Sequence, residues 1–142
     1  MREPLRVLVC GGRDYADRDA VFRALDGLTG EITDETPLGT IDLVVIHGAC
    51  PTGADLWADE WAIINWSRFE EYPADWPKHG RAAGPIRNQR MIDEGRPDLV
   101  LAFPGGRGTA DMVRRARAAG IEVREIAALA PTTPEGRTDR AG

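Results

Sequence analysis

The stretch LVLAFPGGRGTADMVRRA, which runs from Leu99 to Ala116, contains the pattern that decides the fold. A short apolar run comes first, a joint with three glycines and a threonine follows, and a segment with helix-like spacing completes it. This order is typical of a buried strand, a tight βα turn and a helix. Anions also bind at glycine-rich joints of this kind, so the stretch raises a question of function as well as of fold.

The same alternation extends through the rest of the chain. Short apolar runs predict strands, and apolar residues at helical spacing predict helices between them. The strands are predicted at 5–10, 41–48, 67–73, 97–103 and 121–126, and the helices at 17–28, 54–65, 85–95 and 108–120. Asp17 is the expected N-cap of the first helix. The segments 30–39 and 74–84 predict loops, and the Pro- and Thr-rich residues 131–142 predict a disordered tail.

Strands that alternate with helices predict an α/β fold, here a Rossmann-like three-layer domain with a mainly parallel five-stranded sheet. The length fits one domain over residues 1–130. In such sheets a ligand binds beyond the carboxyl ends of the strands, where the strand order reverses. If the order is 3-2-1-4-5, the first and fourth strands flank that point, and their glycine-rich loops face each other across one crevice.

Composition and charge narrow the classes of function. The 142-residue chain carries a formal net charge of -5, which argues against a general nucleic-acid binder. Its apolar runs are too short to span a bilayer and no signal-peptide pattern opens the chain, so the expected compartment is the cytoplasm. Cys10 and Cys50 form neither a disulfide framework nor a zinc signature. His47 and Cys50 lack further ligands at suitable spacing, so we expect no metal and no other cofactor, and His47 to be a hydrogen-bonded structural residue.

Three glycine-rich joints fall at predicted strand ends, and their sequences are CGGRD, HGACPTGAD and FPGGRGT. Glycine permits close approach to the backbone, and a helix N-terminus adds unpaired N–H groups and partial positive charge, which together suit a phosphate. A purely structural interpretation also exists, in which Thr109 is an N-cap and Asp55 completes a capping box with Thr52. The joints match neither the P-loop nor the dinucleotide fingerprint.

Two motifs resemble those of a known superfamily. PGGRGT at Pro104 to Thr109 resembles the PGGxGTxxE motif of the Lonely Guy phosphoribohydrolases, and RNQRM at Arg87 to Met91 resembles the RKxxM element that precedes it. VCGGRDY and VIHGACPTGADLWADEWA resemble the YspA/YpsA-related branch of the same SLOG (SMF/DprA-LOG) superfamily. The resemblance extends over residues 5–126 and implies a Rossmann-like fold that binds a nucleotide or a nucleotide-derived ligand.

The resemblance also implies roles for individual residues. The glycines of PGGRGT and Thr109 would hold a phosphate, and Arg87 would lie near the ribose and phosphate. With the other residues of the three joints, the expected ligand-binding set is Gly11, Gly12, Arg13, Gly48, Thr52, Gly53, Arg87, Asn88, Pro104, Gly105, Gly106, Gly108 and Thr109.

One position departs from the enzymes of the superfamily, because the glutamate of their motif falls on Met112. Lonely Guy enzymes cleave the N-glycosidic bond of nucleoside 5′-monophosphates, and a carboxylate can stabilise the oxocarbenium-like transition state of that reaction. The candidate replacement carboxylates are those of Asp14, Asp55 and Asp111. Asp111 lies about 100° around the helix from Met112, and it equally fits ion pairs with Arg114 or Arg115.

Other residues have a structural and a functional interpretation. Arg13 suits a phosphate contact or a solvated loop, and Asn88 suits a ribose contact or a position on the helix surface. Arg90 is expected to form an ion pair with Asp93 or Glu94. The candidates for stacking on a base are Tyr15, Trp76 and His79.

Three functions compete on this sequence. The first is a binding module, such as a sensor, that holds a nucleotide or nucleotide-derived ligand without turnover, and the loss of the glutamate favours it. The second is a hydrolase that cleaves the N-glycosidic bond of a nucleotide or nucleotide conjugate. The third is a DNA-handling relative similar to DprA, which the acidic balance disfavours. Because relatives often assemble through the helices beside the crevice, the resemblance also implies a homodimer or larger homo-oligomer.

Overall fold

Strands and helices alternate throughout residues 4–35 and 43–127, which are the parts of the chain that the computed structural model describes. Between residues 30 and 35 this description covers the backbone alone. The strands are β1 (Leu5–Cys10), β2 (Leu43–His47), β3 (Arg68–Glu71), β4 (Leu99–Ala102) and β5 (Glu122–Glu125). The helices are α1 (Arg18–Glu35), α2 (Gly53–Ile64), α3 (Trp76–His79), α4 (Ala83–Asp93) and α5 (Arg107–Ala118).

The five strands form one parallel sheet in the order β3-β2-β1-β4-β5. The central strand β1 pairs with both β2 and β4, so that Leu8 lies opposite Ile46 on one side and Val100 on the other. This is the predicted Rossmann-like order, and it confirms the α/β fold class. The order reverses between β1 and β4, which places the expected ligand crevice beyond the ends of these two strands.

Both faces of the sheet are covered, as the uninterrupted apolar runs of β1, β2 and β4 predict. Side chains alternate along β1: Val7 and Val9 pack beneath α1 and α2, whereas Leu8 and Cys10 pack beneath α4 and α5. Each fully buried aliphatic side chain of this kind contributes about 1.5–3 kcal/mol through the hydrophobic effect. The edge strands β3 and β5 are mostly exposed.

Several sequence predictions of local structure are confirmed. Asp17 caps α1, since its side chain accepts a hydrogen bond from the Ala20 N–H at 3.0 Å. Pro85 lies in the first turn of α4, where its missing N–H costs no hydrogen bond, and Gly95 follows the end of that helix.

Two loop predictions were wrong in part. The segment 74–84 is not irregular, because it forms α3, a 3-10 turn at Gly80–Ala82 and the start of α4. Asp75 explains this, since its side chain accepts the Lys78 N–H at 3.2 Å and Pro77 fits the first turn. The segment 30–39 was also predicted as a loop, but α1 continues to Glu35, and no proline interrupts the chain before Pro37.

Some predictions fall outside the described residues. The rest of the loop at 36–39 and the tail at 131–142 belong to these parts of the chain. Among residues 4–35 and 43–127, no helix has both the length and the apolar character required to cross a membrane.

Candidate functional site

A crevice of about 1330 Å³ lies at the carboxyl ends of β1, β2 and β4, at the point where the strand order reverses. The loops after these strands form its floor, while α3, α4 and α5 supply its walls. We call it the switch-point crevice. Its position is the one in which open α/β sheets bind their ligands, and its volume is sufficient for a small molecule.

Most of the predicted site residues meet at this crevice. Those that line it are Gly11, Gly12, Arg13, Asp14, Gly48, Thr52, Asp55, Arg87, Asn88, Gly106, Gly108, Thr109 and Asp111. Three predicted ligand-binding residues, Gly53, Pro104 and Gly105, do not line it. Their contacts are with the loop that follows β1, and these contacts suggest a structural role for them.

The loops are packed so closely that glycine is required beneath the crevice. The Gly12 N–H donates to the Pro104 carbonyl at 2.9 Å, which joins the β1 and β4 loops. A Cβ atom on Gly105 would lie 2.6 Å from the Gly12 nitrogen, closer than real Cβ atoms come. Gly53 has a φ of +74°, and a Cβ there would overlap the Gly12 carbonyl oxygen. Some of the glycines that the motif supplies therefore hold the loops together.

The N-terminus of α5 opens onto the crevice. The helix begins at Arg107 with Gly106 in the N-cap position, and no side chain caps it. Among the described residues, no group accepts a hydrogen bond from the N–H groups of Arg107, Gly108 and Thr109. A Cβ on Gly106 or Gly108 would meet no atom within 4 Å. The helix thus presents unpaired donors and its positive dipole end next to open space.

Thr109 does not cap α5, so that alternative was wrong. It is the third residue of the helix, because the helix begins at Arg107, three residues earlier than an N-cap at this position would allow. Its hydroxyl lies beside Gly105, where a Cβ would overlap it.

The joint between β2 and α2 is closed by its own carboxylate. Oδ2 of Asp55 accepts hydrogen bonds from the N–H groups of Gly48 at 3.1 Å and Cys50 at 3.2 Å. Thr52 occupies the N-cap position but makes no capping hydrogen bond, so the predicted capping box is wrong. Burial raises the pKa of Asp55, although the hydrogen bond from Cys50 and the nearby charge of Arg87 act in the opposite direction.

Arg87 reaches into the centre of the crevice from α4. Its Nη1 donates to the Gly48 carbonyl at 2.6 Å, and its Nε donates to Oδ1 of Asn88 at 3.1 Å. Burial lowers the pKa of Arg87, and the charge of Asp55 partly offsets this effect. Arg13 also lowers it, because a second guanidinium close by repels the first. An arginine nevertheless remains charged, so the crevice holds two neighbouring cations.

Asn88 and Asp111 form a buried bridge between α4 and α5. The Asn88 amide donates to the Gly108 carbonyl at 3.2 Å and to Oδ2 of Asp111 at 3.0 Å. Asn88 is therefore not an exposed residue on the surface of its helix, and both of its N–H donors are engaged within the protein. The bridge supports the first turn of α5 from below.

Asp111 is held by its own helix, as one of the two sequence interpretations predicted. It forms ion pairs with Arg114 at 2.5 Å and Arg115 at 2.8 Å. Burial alone would raise its pKa, but the hydrogen bonds from Arg115 and Asn88 outweigh that effect and leave the pKa below its usual value. This carboxylate is consequently ionised and fully engaged.

Met112, which stands where the enzymes have glutamate, does not line the crevice. It is completely buried among the apolar residues between the sheet and α5. A glutamate at this position of the present backbone would therefore lie in the core, and Asp111 is the neighbouring residue that reaches the crevice.

Some of the remaining candidate residues lie at the rim of the crevice, and others pack away from it. Asp14 and Arg13 are exposed at the rim, and the Arg13 guanidinium lies 5.4 Å from the centre of the Trp76 ring. Tyr15 packs against Phe103 instead, with ring centres 5.5 Å apart. Of the three aromatic residues proposed to stack on a base, Trp76 is the one that lines the crevice. His79 does not line it. Arg90 pairs with Glu94, as predicted, at 3.2 Å.

Sequence reasoning missed three arginines that line the crevice, namely Arg81, Arg107 and Arg114. A signal for two of them was present, because Arg107, Asp111 and Arg114 follow one another at spacings of four and three along α5 and therefore share a helix face. Arg81 lies in the 3-10 turn before α4, for which the sequence carried no comparable pattern.

His47 is a buried structural residue, as expected, and its hydrogen bonds indicate which nitrogen carries the proton. Its Nδ1 accepts the Ala49 N–H at 3.0 Å, so the ring proton belongs on Nε2, which lies 3.2 Å from Oδ1 of Asp59. Glu71 lies close to both residues, and the three could form a metal-ligand group by proximity. Because a protonated nitrogen cannot bind a metal, the hydrogen bonds favour a His47–Asp59 contact at this position.

The two cysteines are free thiols. Burial raises the pKa of Cys10 to about 12, and the charge of Asp55 adds to this effect. A thiol with so high a pKa is not a nucleophile at neutral pH.

Comparisons with known proteins agree with this architecture. The model of the YspA, cpYpsA-related SLOG family matches residues 5–79, which is more than half of the chain. The chain is also 41% identical to the Gene 61 protein of Mycobacterium phage D29, over 83% of this chain and 93% of that protein. The chain belongs to the YspA, cpYpsA-related SLOG family.

Proposed function

From its membership of this SLOG family, we propose that the protein is a binding module that holds a nucleotide or nucleotide-derived ligand in the switch-point crevice. The phosphate of the ligand lies against the N-terminus of α5, where it accepts hydrogen bonds from the N–H groups of Gly108 and Thr109. Arg87 contributes a charge-assisted contact from the centre of the crevice. The module holds the ligand without turning it over, which is the behaviour of a sensor.

The observation that carries this proposal is the unpaired N-terminus of α5. Its first N–H groups meet no acceptor among the described residues, whereas the N–H groups of Gly48 and Cys50 in the neighbouring joint are bound to Asp55. A phosphate at α5 would receive several backbone hydrogen bonds and the favourable helix dipole. The PGGRGT sequence at this joint resembles the phosphate-binding motif of the Lonely Guy enzymes, which supports the same placement.

The charge of the crevice supports an anionic ligand. Five arginines and three aspartates line it, although the chain as a whole has a net charge of -5. Asp111 is neutralised by its own arginines, and Arg13 and Arg87 repel each other. A phosphate placed between these cations would relieve that repulsion, and it would gain further from the partly desolvated surroundings of Arg87.

The proposal is tested by calorimetry with ribose 5-phosphate and AMP. We expect both to bind the wild-type protein, and Arg87→Ala to weaken both by about tenfold or more, since a charge-assisted hydrogen bond is worth about 1.5–3 kcal/mol. Arg90→Ala is the matched control, because Arg90 lies on the same helix but pairs with Glu94 at the surface. The absence of binding by the wild-type protein, or equal affinities of the two variants, would contradict the proposal.

A hydrolase for the N-glycosidic bond of a nucleotide or its conjugate is the second candidate, and Asp55 is the observation that favours it. This carboxylate is buried in the wall of the crevice, its pKa is raised, and Oδ1 receives no hydrogen bond among the described residues. Such a group could accept a proton from water or stabilise a sugar cation. Chromatography of AMP incubated with the protein tests it. Release of adenine that Asp55→Asn abolishes would replace the sensor proposal, and intact AMP would reject the hydrolase for this substrate.

We also propose that the protein works in the cytoplasm as a homodimer or larger homo-oligomer. The premise is the family, whose members often assemble through the helices beside the crevice. Light scattering coupled to size-exclusion chromatography tests the assembly, and a mass near 15.5 kDa would show a monomer.

A further inference from the structure

Trp76 differs from the other three tryptophans in being both exposed and part of the crevice. Trp57 and Trp61 are fixed in the fold, since their indole N–H groups donate to the Tyr15 carbonyl and to Asp26, each at 2.9 Å. Trp66 is 95% exposed and lies away from the crevice. Trp76 is 44% exposed, lines the crevice, and has no acceptor for its indole N–H among the described residues. Its ring is therefore available for a contact in the crevice.

The backbone holds this ring in a defined place. Trp76 is the first residue of α3, which the preceding Asp75 caps through the Lys78 N–H at 3.2 Å and through a backbone bond to His79 at 2.9 Å. The edge of the ring faces α4, where a Cβ added to Gly84 would lie 3.5 Å from Cη2 of the indole. A short helix and a glycine of the next helix thus position an aromatic surface at the crevice wall.

One face of the ring is covered by Arg13, which comes from the loop that follows β1. The guanidinium lies 5.4 Å from the ring centre, a distance at which a cation–π contact forms. Arg13 is exposed and makes no ion pair within the described residues. The Arg13 guanidinium is planar, has no ion pair that holds it in place, and covers the ring face on which a planar base would stack. Stacking of a base on an aromatic ring is the stronger of the two contacts.

We propose that the base of the bound nucleotide stacks on Trp76 and displaces Arg13 from that face. This rests on the proposed function, since it concerns the part of the same ligand that lies away from the phosphate. The displaced guanidinium then faces the crevice interior, where Arg87 and the N-terminus of α5 hold the phosphate. Trp76 is thereby a specificity residue for ligands that carry a base, and Arg13 has opposite effects on the two halves of the ligand.

Two ligands separate this proposal from the proposed function. Calorimetry with AMP and with ribose 5-phosphate is performed on the wild-type protein, Trp76→Leu and the exposed-tryptophan control Trp66→Leu. We expect Trp76→Leu to weaken AMP about tenfold and to leave ribose 5-phosphate unchanged, with no effect of Trp66→Leu on either. AMP should also quench tryptophan fluorescence in the wild type and Trp66→Leu but not in Trp76→Leu.

The role of Arg13 gives a second test with a variant that removes no ring. Adenosine, which has a base but no phosphate, should bind Arg13→Ala about threefold more tightly than the wild type, because the ring face is no longer covered, while ribose 5-phosphate should bind more weakly. Equal effects of Trp76→Leu on AMP and ribose 5-phosphate, or weaker binding of adenosine by Arg13→Ala, would overturn the stacking proposal alone. A wild-type protein that binds none of the three ligands would reject the proposed function as well.

Discussion

Two glycine-rich joints of the same sheet use an aspartate in opposite ways. In the β2–α2 joint, residues 48–55, Asp55 turns back on its own loop and accepts the N–H groups of Gly48 and Cys50. In the β4–α5 joint, residues 103–111, Asp111 turns away from its loop and binds two arginines of its own helix. The first joint is closed by a carboxyl group that the chain supplies. The first N–H groups of the second meet no acceptor among the described residues.

The comparison indicates that a glycine-rich turn before a helix is not sufficient for an anion site. The β2–α2 joint has the glycines, the helix and the dipole, but a side-chain carboxylate already satisfies two of its donors. The β4–α5 joint differs in the position and the partners of its aspartate. Asp55 is the third residue of α2, whereas Asp111 is the fifth residue of α5, and Asn88 and the two arginines engage both of its carboxylate oxygens.

The largest difference that we expect concerns stability, because the two joints use glycine differently. Gly53→Ala should lower the free energy of unfolding by about 3 kcal/mol, because alanine is strained at positive φ and its Cβ would overlap the Gly12 carbonyl. Gly106→Ala is the control from the other joint, where a Cβ meets open space, and we expect a change within about 0.5 kcal/mol. Urea denaturation of both variants measures this, and equal losses would contradict the packing role of Gly53.

The next effect concerns Asp111. Asp111→Asn should destabilise the protein by about 2 kcal/mol at pH 7, because two arginines lose a buried charged acceptor. The folded pKa of Asp111 is lowered, so its stabilising contribution exists above the unfolded pKa of about 3.9 and is lost as the pH falls through the folded value.

Denaturation of the wild type and Asp111→Asn between pH 2 and pH 7 checks this prediction. The two curves should converge at the acid end. Glu94→Gln is the control, since it removes a fully exposed ion pair with Arg90 and should change stability much less. A constant gap between Asp111→Asn and the wild type at all pH values would show that the effect is not one of charge.

A smaller effect is expected on ligand affinity at the β4–α5 joint. Gly108→Val should weaken ribose 5-phosphate about tenfold, equivalent to about 1.4 kcal/mol, because the added side chain crowds the approach to the α5 amides. Gly27→Val is a matched control, since Gly27 is also a helical glycine whose Cβ would meet no atom within 4 Å. Calorimetry measures both, and unchanged affinity in Gly108→Val would move the phosphate away from α5.

The smallest effect concerns how stability depends on pH through Asp55 in the β2–α2 joint, and its sign is opposite to that expected for Asp111. The folded pKa of Asp55 is raised, so its contribution to stability is present below the unfolded pKa and is lost as the pH rises through the folded pKa. Wild-type stability should therefore fall relative to Asp55→Asn as the pH rises above 4. Denaturation of this pair over pH 3–7 tests it, and a gap that moves in the other direction would mean that the Asp55 pKa is lowered in the fold.

Much of the fold was predictable because local patterns carry it. Apolar runs marked β1, β2 and β4, helical spacing marked the longer helices, and Asp17 was recognised as a cap from its position alone. The errors occurred where a polar segment formed structure, as at α3, because the capping by Asp75 and the fit of Pro77 depend on backbone geometry. The strand order also allowed the crevice to be placed before any contact was known.

The site was predictable in composition but not in detail. Thirteen of the sixteen predicted site residues line the crevice, since all of them except Arg87 and Asn88 follow strand ends that meet at one edge of a parallel sheet. Which glycines lie beneath the crevice could not be predicted, because that depends on how closely the β1 loop approaches Gly53 and Gly105. Arg81 was missed for a similar reason, since the turn that carries it was predicted as an irregular loop.

The sequence by itself determined the alternation of strands and helices, the parallel sheet and the joints at which its carboxyl ends meet, because hydrophobic periodicity and turn chemistry act over a few neighbouring residues. Only the tertiary structure decided that Asp55 accepts the N–H groups of Gly48 and Cys50, and that Asn88 of a neighbouring helix binds Asp111. These choices are made by hydrogen bonds and charges between side chains whose distances exist only once the helices are packed on the sheet. A carboxylate binds whichever donors the fold brings nearest, and the sequence does not contain that distance.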